Sequence, residues 1–146
     1  MDIIYSNRIE LEEYNALRDA VGFRAIERRL AENGLANSAF LVCARDGAKA
    51  VGMARVVTDY GYFVYISDVM VFPEYQGKGI GGEIMKRVMA YINGNIEDGQ
   101  SKLITLMAAK GKEGFYEKLG LIKRPNDIWG CGMSVWLEKK EDQNES

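Results

Sequence analysis

Apolar positions along this chain change period several times, and each change marks an element. Ile84, Met85, Val88, Met89 and Ile92 recur at three- and four-residue spacing, with Glu83, Lys86 and Arg87 between them. That stripe predicts an amphipathic helix over Gly79 to Asn93. Before it lie three runs that read as an antiparallel meander: Ala39–Ala44, Ala50–Asp59 and Tyr62–Val71, joined at Arg45-Asp46-Gly47-Ala48-Lys49 and at Tyr60-Gly61. Asp-Gly between apolar runs is a hairpin signal.

The flanks follow the same logic. Met1–Ser6 is a short strand, and a helical period of Leu11, Tyr14, Leu17 and Val21 runs from Ile9 to a stop at Gly22. A second helix passes through Ile26 and Leu30 and is expected to stop around Asn33-Gly34, which tolerate a left-handed cap. After the central helix, Leu103–Met107 reads as a buried strand, which the crossover should place parallel to Tyr62–Val71. Glu113–Leu119 reads as a short helix closed by Gly120. Leu121–Lys123 and Cys131–Leu137 read as a final strand pair around the Pro125-Asn126-Asp127 turn. The expected fold is α+β: a mixed, mostly antiparallel sheet of six to seven strands with about four helices, in the order β-α-α-β-β-β-α-β-α-β-β. Residues 1–137 form one domain in this reading, and the polar tail 138–146 is frayed or disordered.

Composition narrows the chemistry. The 146 residues include no histidine and two cysteines, with net charge −2. Without histidine there is no Ser-His-Asp triad, no Cys-His pair and no HExxH zinc site, so proton transfer falls to carboxylates, tyrosine, lysine, cysteine or water. Cys43 and Cys131 are too few for a disulfide framework or metal knot, so two free thiols and no metal are expected. The acidic balance, with pI near 5.3, argues against nucleic acid. No run is long enough for a membrane span and the N-terminus lacks a basic-then-apolar signal segment, so the expected location is the cytoplasm.

The sharpest local signal is Gln76-Gly77-Lys78-Gly79-Ile80-Gly81-Gly82, with four glycines where the central helix should begin. The first N–H groups of a helix lack partners, and glycines let a bulky anion approach them; phosphate is the natural guest. Gly77-x-Gly79-x-x-Gly82 also satisfies the dinucleotide fingerprint, but Pro73 and Tyr75 separate it from the strand and a meander precedes it. A Walker A loop needs Gly-Lys-Ser/Thr, and Gly79 follows Lys78. The plainest alternative is a flexible turn that only caps the helix.

Those residues resemble the signature of the GCN5-related N-acetyltransferases, Gln/Arg-x-x-Gly-x-Gly/Ala, here Gln76 to Gly81 and preceded by Val71-x-Pro73-x-Tyr75. Phe115-Tyr116-Glu117-Lys118-Leu119-Gly120-Leu121 is similar to the family's second motif. The resemblance covers residues 38–121. It implies a GNAT-like fold and acetyl transfer from acetyl-CoA to a primary amine of a small molecule by direct attack in a ternary complex, with a catalytically silent CoA-binding regulatory module as the alternative. A nicotinamide enzyme is the third reading.

On that resemblance, pantetheine pairs with the free backbone edge of Val69–Val71, and an N–H near Met70 or Val71 stabilises the oxyanion. The pyrophosphate sits on the amides of Gln76, Gly77, Lys78, Gly79, Ile80, Gly81 and Gly82, and Phe115 joins the cofactor contacts. Lys78 or Arg87 meets a phosphate, or is simply solvated surface. Tyr116 protonates the departing thiolate, its alternative being core packing. Ala109 stands where many members carry an asparagine. Asp68, the only carboxylate in Tyr62–Val71, is the base candidate; holding the substrate ammonium or a structural ion pair are its other readings. Alternation puts it on one face with Ile66 and Met70. Tyr60, Tyr62, Tyr65 and Trp129 line an aromatic acceptor pocket or the core. Cys131 is a nucleophile candidate against an inert core thiol. The Gly22-Phe23 joint between the first two helices is a lid in the family, and a plain helical hairpin explains the same pattern. Members often dimerise through their last strands, so a homodimer is one expected assembly.

Overall fold

The computed structural model describes residues 1–139. Five strands and four α-helices follow one another as β1 (Ile3–Ser6), α1 (Leu11–Ala20), α2 (Arg28–Ala36), β2 (Phe40–Asp46), β3 (Lys49–Thr58), β4 (Phe63–Val71), α3 (Ile80–Gly94), β5 (Leu103–Thr105) and α4 (Glu113–Glu117), with a 3-10 turn at Pro73–Tyr75. The chain forms two compact units, residues 1–106 and the part from Met107 onward.

In the first unit the sheet order is β1-β2-β3-β4-β5. The first three pairings are antiparallel, and β5 lies parallel to β4 as the crossover through α3 requires. Helices cover both faces. Tyr14, Leu17 and Ala31 of α1 and α2 pack with Leu41, Cys43, Ala50, Met53 and Met70 of the strands. Gly52, next to Met53 and therefore facing the other way, lies under α3: a Cβ there would stand 3.0 Å from the end of Ile84 and 3.1 Å from the Met70 carbonyl. The apolar stripe of α3 is buried as its period predicts, through Ile84, Met85, Val88 and Ile92.

The expected elements are present with small boundary changes, and three points differ. α2 runs through Asn33-Gly34 to Ala36, because Asn37 supplies the cap: its side-chain amide donates to the Asn33 carbonyl at 2.8 Å. β4 is not a continuous alternation. Its register against β3 slips between Met53 and Arg55, so that Ala54 faces both Asp68 and Val69, and Asp68 takes φ +55°. This β-bulge shifts the phase by one. Ile66 pairs with Val56 and so lies on the α3 face, whereas Asp68 and Met70 face α1.

The third difference is the strand count. The sheet has five strands rather than six or seven, because the proposed pair at Leu121–Lys123 and Cys131–Leu137 is not strand among the described residues. Apart from the half-buried Leu121 its apolar side chains are exposed, with Met133 and Leu137 each 90% accessible. Alternating apolar positions license a strand only when a partner strand and a surface to bury them exist. In this second unit, Asn126 instead orders the turn locally, its side-chain oxygen accepting from Ile128 and Trp129 N–H. Of the tail expected to be frayed, residues 140–146 lie outside the described residues.

Candidate active site

The site of the first unit forms where β4 leaves β5. Their pairing is limited to Phe63↔Leu103, Val64↔Ile104 and Tyr65↔Thr105. Beyond Tyr65, β4 continues to Val71 with β3 on one side and no ladder to β5 on the other. The bulge at Asp68 falls just past this parting, and increased local twist is what a bulge produces. Met70 and Val71, the expected oxyanion and pantetheine positions, sit on that unpaired stretch.

The chain then turns sharply. Phe72 N–H donates to the Val51 carbonyl, and Tyr75 and Gln76 N–H close the 3-10 turn on Phe72 and Pro73. Gln76 sends its side-chain amide back to the Val71 carbonyl at 3.0 Å, bracing the turn against the end of β4. The Tyr75 hydroxyl donates to Asp46 at 2.6 Å, and the Lys78 ammonium lies 5.4 Å from the Tyr75 ring.

Gly77 and Gly79 take φ of +76° and +84°, a backbone other residues enter only with strain. Gly79 is the N-cap of α3 and supplies no side-chain cap. Glu83 is where helical bonding begins, its N–H donating to the Gly79 carbonyl, so the preceding amides at the helix start have no acceptor inside the helix. A Cβ built on Gly77, Gly79 or Gly82 would face open space, with no atom beyond the adjoining backbone within 4 Å. A turn with uncapped amides, the positive end of a 15-residue helix and no obstructing Cβ fits a diphosphate. Arg87 is committed elsewhere, to Glu83 at 3.2 Å and over the Tyr5 ring at 4.4 Å.

Asp68 is the centre of a cluster that the sequence reading missed. Its carboxylate is nearly buried: Oδ1 accepts from Arg18 Nη1 at 2.7 Å, and Oδ2 from Arg55 Nε at 2.7 Å and the Tyr14 hydroxyl at 2.8 Å. With both oxygens engaged, the ion-pair reading describes it better than that of an open base. Burial, and then the adjacent Asp68 charge, push the Tyr14 phenol up. The signal was legible in principle. Arg18 falls in the apolar period of α1, and Arg55 interrupts a buried strand, so each needs a buried counter-charge.

The remaining candidates are dispersed. Tyr60 and Tyr62 are exposed at the tip of the β3–β4 hairpin, and Tyr65 is half-buried in β4, so the three are spread along the strand's first half and its entry turn. In the second unit Tyr116 is buried in α4, with the Phe115 ring edge-on at 5.0 Å. Ala109 N-terminal to α4 accepts from Lys112 N–H. Trp129 lies under the Arg124 guanidinium. Cys131 is exposed, not core, and Cys43 is buried; both thiols are free.

An antiparallel meander, a glycine turn on a helix start and a parting of two parallel strands define an acetyltransferase class of fold. Residues 7–121 match the model of the acetyltransferase (GNAT) family, and the chain belongs to that family. It is 30% identical over 129 residues to an uncharacterised N-acetyltransferase, ycf52, of Pyropia yezoensis, covering 86% of this chain and 72% of that one. It is 34% identical over 98 residues to serotonin N-acetyltransferase 2, chloroplastic, of Oryza sativa, covering 67% and 46%. Among solved structures, a probable acetyltransferase from meticillin-resistant Staphylococcus aureus superposes with TM-score 0.82 at 31% identity, covering 92% of this chain and all of that one. A GNAT family protein from Streptococcus pneumoniae gives 0.71 at 27% identity, covering 95% and 98%.

Proposed function

We propose that this protein transfers the acetyl group of acetyl-CoA to a primary amine of a small molecule, by direct attack within a ternary complex. The observation that carries this is the uncapped, positive-φ glycine turn at Gly77–Gly82 placed next to the unpaired stretch of β4. Acetyl-CoA supplies a thioester-activated acyl group and a diphosphate handle. The amides from Gly77 to Gly82 hold the diphosphate, and the unpaired backbone of Val69–Val71 hydrogen-bonds the pantetheine as an added strand would. The N–H of Met70 or Val71 stabilises negative charge on the carbonyl oxygen during attack. Tyr116 gives its phenolic proton to the thiolate as the C–S bond breaks, the general-acid role its hydroxyl can take. The amine loses its proton through ordered water, since Asp68 is occupied by its arginines.

Calorimetry with acetyl-CoA, followed by thiol release against a panel of amines, tests the proposal. Micromolar binding and amine-dependent release are expected; absence of acetyl-CoA binding sinks it. Tight CoA binding with turnover indifferent to Tyr116→Phe would favour the silent module, for which the replacement of the family asparagine by Ala109 speaks.

A further inference from the structure

The Asp68 cluster reaches further than an ion pair. Arg18, besides its bond to Asp68, donates through Nε and Nη2 to the Arg24 carbonyl at 2.9 and 2.7 Å, and its guanidinium stands over the Tyr14 and Phe23 rings. Arg55 donates through Nη1 to the Gly34 carbonyl at 3.2 Å and to the Ser38 hydroxyl at 3.3 Å. One carboxylate therefore ties the β4 bulge to β3, to α1, to the connection after Gly22 and to the end of α2. Two arginines and one aspartate leave a net positive charge in a nearly dry setting. Such clusters rarely stabilise more than a well-packed apolar set would. What this one does supply is geometry: it fixes both covering helices at the point where β4 parts from β5, three residues past the last β4–β5 pair at Tyr65↔Thr105.

We propose that Asp68 is a positioning residue, the clamp that holds α1 and α2 in register with the opened edge of β4 and so shapes the amine-binding side of the site. This deepens the acetyltransferase reading and rests on it. It also separates two duties of Asp68. The φ of +55° is a backbone duty that glycine performs without strain, whereas the bridging is a duty of the carboxylate alone. Asp68→Gly therefore keeps the bulge and leaves a carboxylate-sized gap between two guanidinium groups and a phenol.

The test is chemical rescue. In Asp68→Gly the KM for the amine is expected to rise about tenfold or more, as for loss of charge-assisted bonds to a buried group, while acetyl-CoA affinity by calorimetry stays within about twofold, since glycine keeps the bulge backbone that leads into Val69–Val71 and the Gly77–Gly82 amides make no bond to the clamp. Formate at millimolar concentration should fill the gap and restore the amine KM, with chloride at equal ionic strength ineffective. Hydrogen exchange across residues 11–36 should accelerate in the variant and return towards wild type with formate. An amine KM unchanged in the variant, or a raised KM and fast exchange that formate leaves untouched in a folded protein, overturns the clamp. If wild type fails to bind acetyl-CoA, the acetyltransferase reading falls, and the formate-dependent exchange still decides the clamp. Should Asp68→Gly fail to fold, Tyr14→Phe removes a single donor while keeping its ring in the core. It should raise the amine KM about fivefold with kcat unchanged, and an unaltered KM there also overturns the clamp.

Discussion

Single residues decide this site through their backbones more than through their side chains. At Gly79 any substituent carries a left-handed strain of about 1 kcal/mol and projects a Cβ over the helix start. Gly79→Ala should therefore weaken acetyl-CoA about tenfold or more, read by calorimetry, with a thermal midpoint lowered by only a few degrees; unaltered affinity would show that the turn does not carry the phosphates. Gly52 presents the opposite case. It is not needed for its φ but for the close approach of α3, since a Cβ would press on the Ile84 methyl and the Met70 carbonyl at 3.0 and 3.1 Å. Gly52→Ala should cost about 1–3 kcal/mol in urea unfolding. Tyr116 carries the third residue-scale expectation: replacing its hydroxyl in Tyr116→Phe should lower kcat by about a hundredfold while leaving acetyl-CoA affinity intact.

At the scale of elements, α1 is joined to the sheet by its apolar face, Tyr14 and Leu17, and by an ionic contact towards either end, Glu13 to Arg45 and Arg18 to Asp68. Near its start Glu13 accepts both Arg45 nitrogens of β2, at 2.6 and 2.9 Å, and also the Glu10 N–H that opens the helix. The Arg45 bonds hold the Glu13 carboxyl below its ordinary value, against partial burial. A lowered folded pKa means that this contribution is present above the unfolded value, near 4.5, and fades as pH falls through the folded one. Glu13→Gln should cost about 1 kcal/mol at pH 7 and little once wild type is itself protonated; an equal loss at pH 7 and pH 3 would deny the ion pair its role. The elements themselves were largely legible in the sequence. α3 was readable because its stripe of Ile84, Met85, Val88 and Ile92 obeys one period over 15 residues. The glycine turn was readable because it is contiguous. The bulge was not, since a slip of one residue at Asp68 leaves no mark in an alternation that both faces could satisfy, and it hid the Arg18–Asp68–Arg55 cluster, whose members lie 37 and 13 positions apart along the chain. The Cys131–Leu137 segment misled because Met133, Val135 and Leu137 alternate like a strand, though pattern alone supplies no partner to bury them.

For the whole molecule, the two thiols report on folding in different ways. Cys43 lies in the core between α1 and the sheet with no accessible surface, and burial pushes its thiol up to about 11, whereas Cys131 is exposed. A thiol reagent at pH 8 should therefore titrate one equivalent in the native protein and the second only on unfolding. The same burial makes stability depend on alkaline pH. The unfolded chain releases the Cys43 proton near 9 and the folded protein holds it to about 11, so the folded state binds more protons across that interval. The contribution is complete below pH 9 and is lost as pH rises through about 11, on the order of 2 kcal/mol over the window. Tyr14 and Tyr5, both pushed up first by burial, add a slope of the same sign at the upper end. Urea unfolding of wild type from pH 8 to 11 should thus fall more steeply than that of Cys43→Ala, which begins less stable because of its small cavity but titrates no thiol in the core. Parallel curves for the two proteins would mean that the Cys43 proton is released as readily in the folded state as in the unfolded chain, and that the core between α1 and the sheet is open to water.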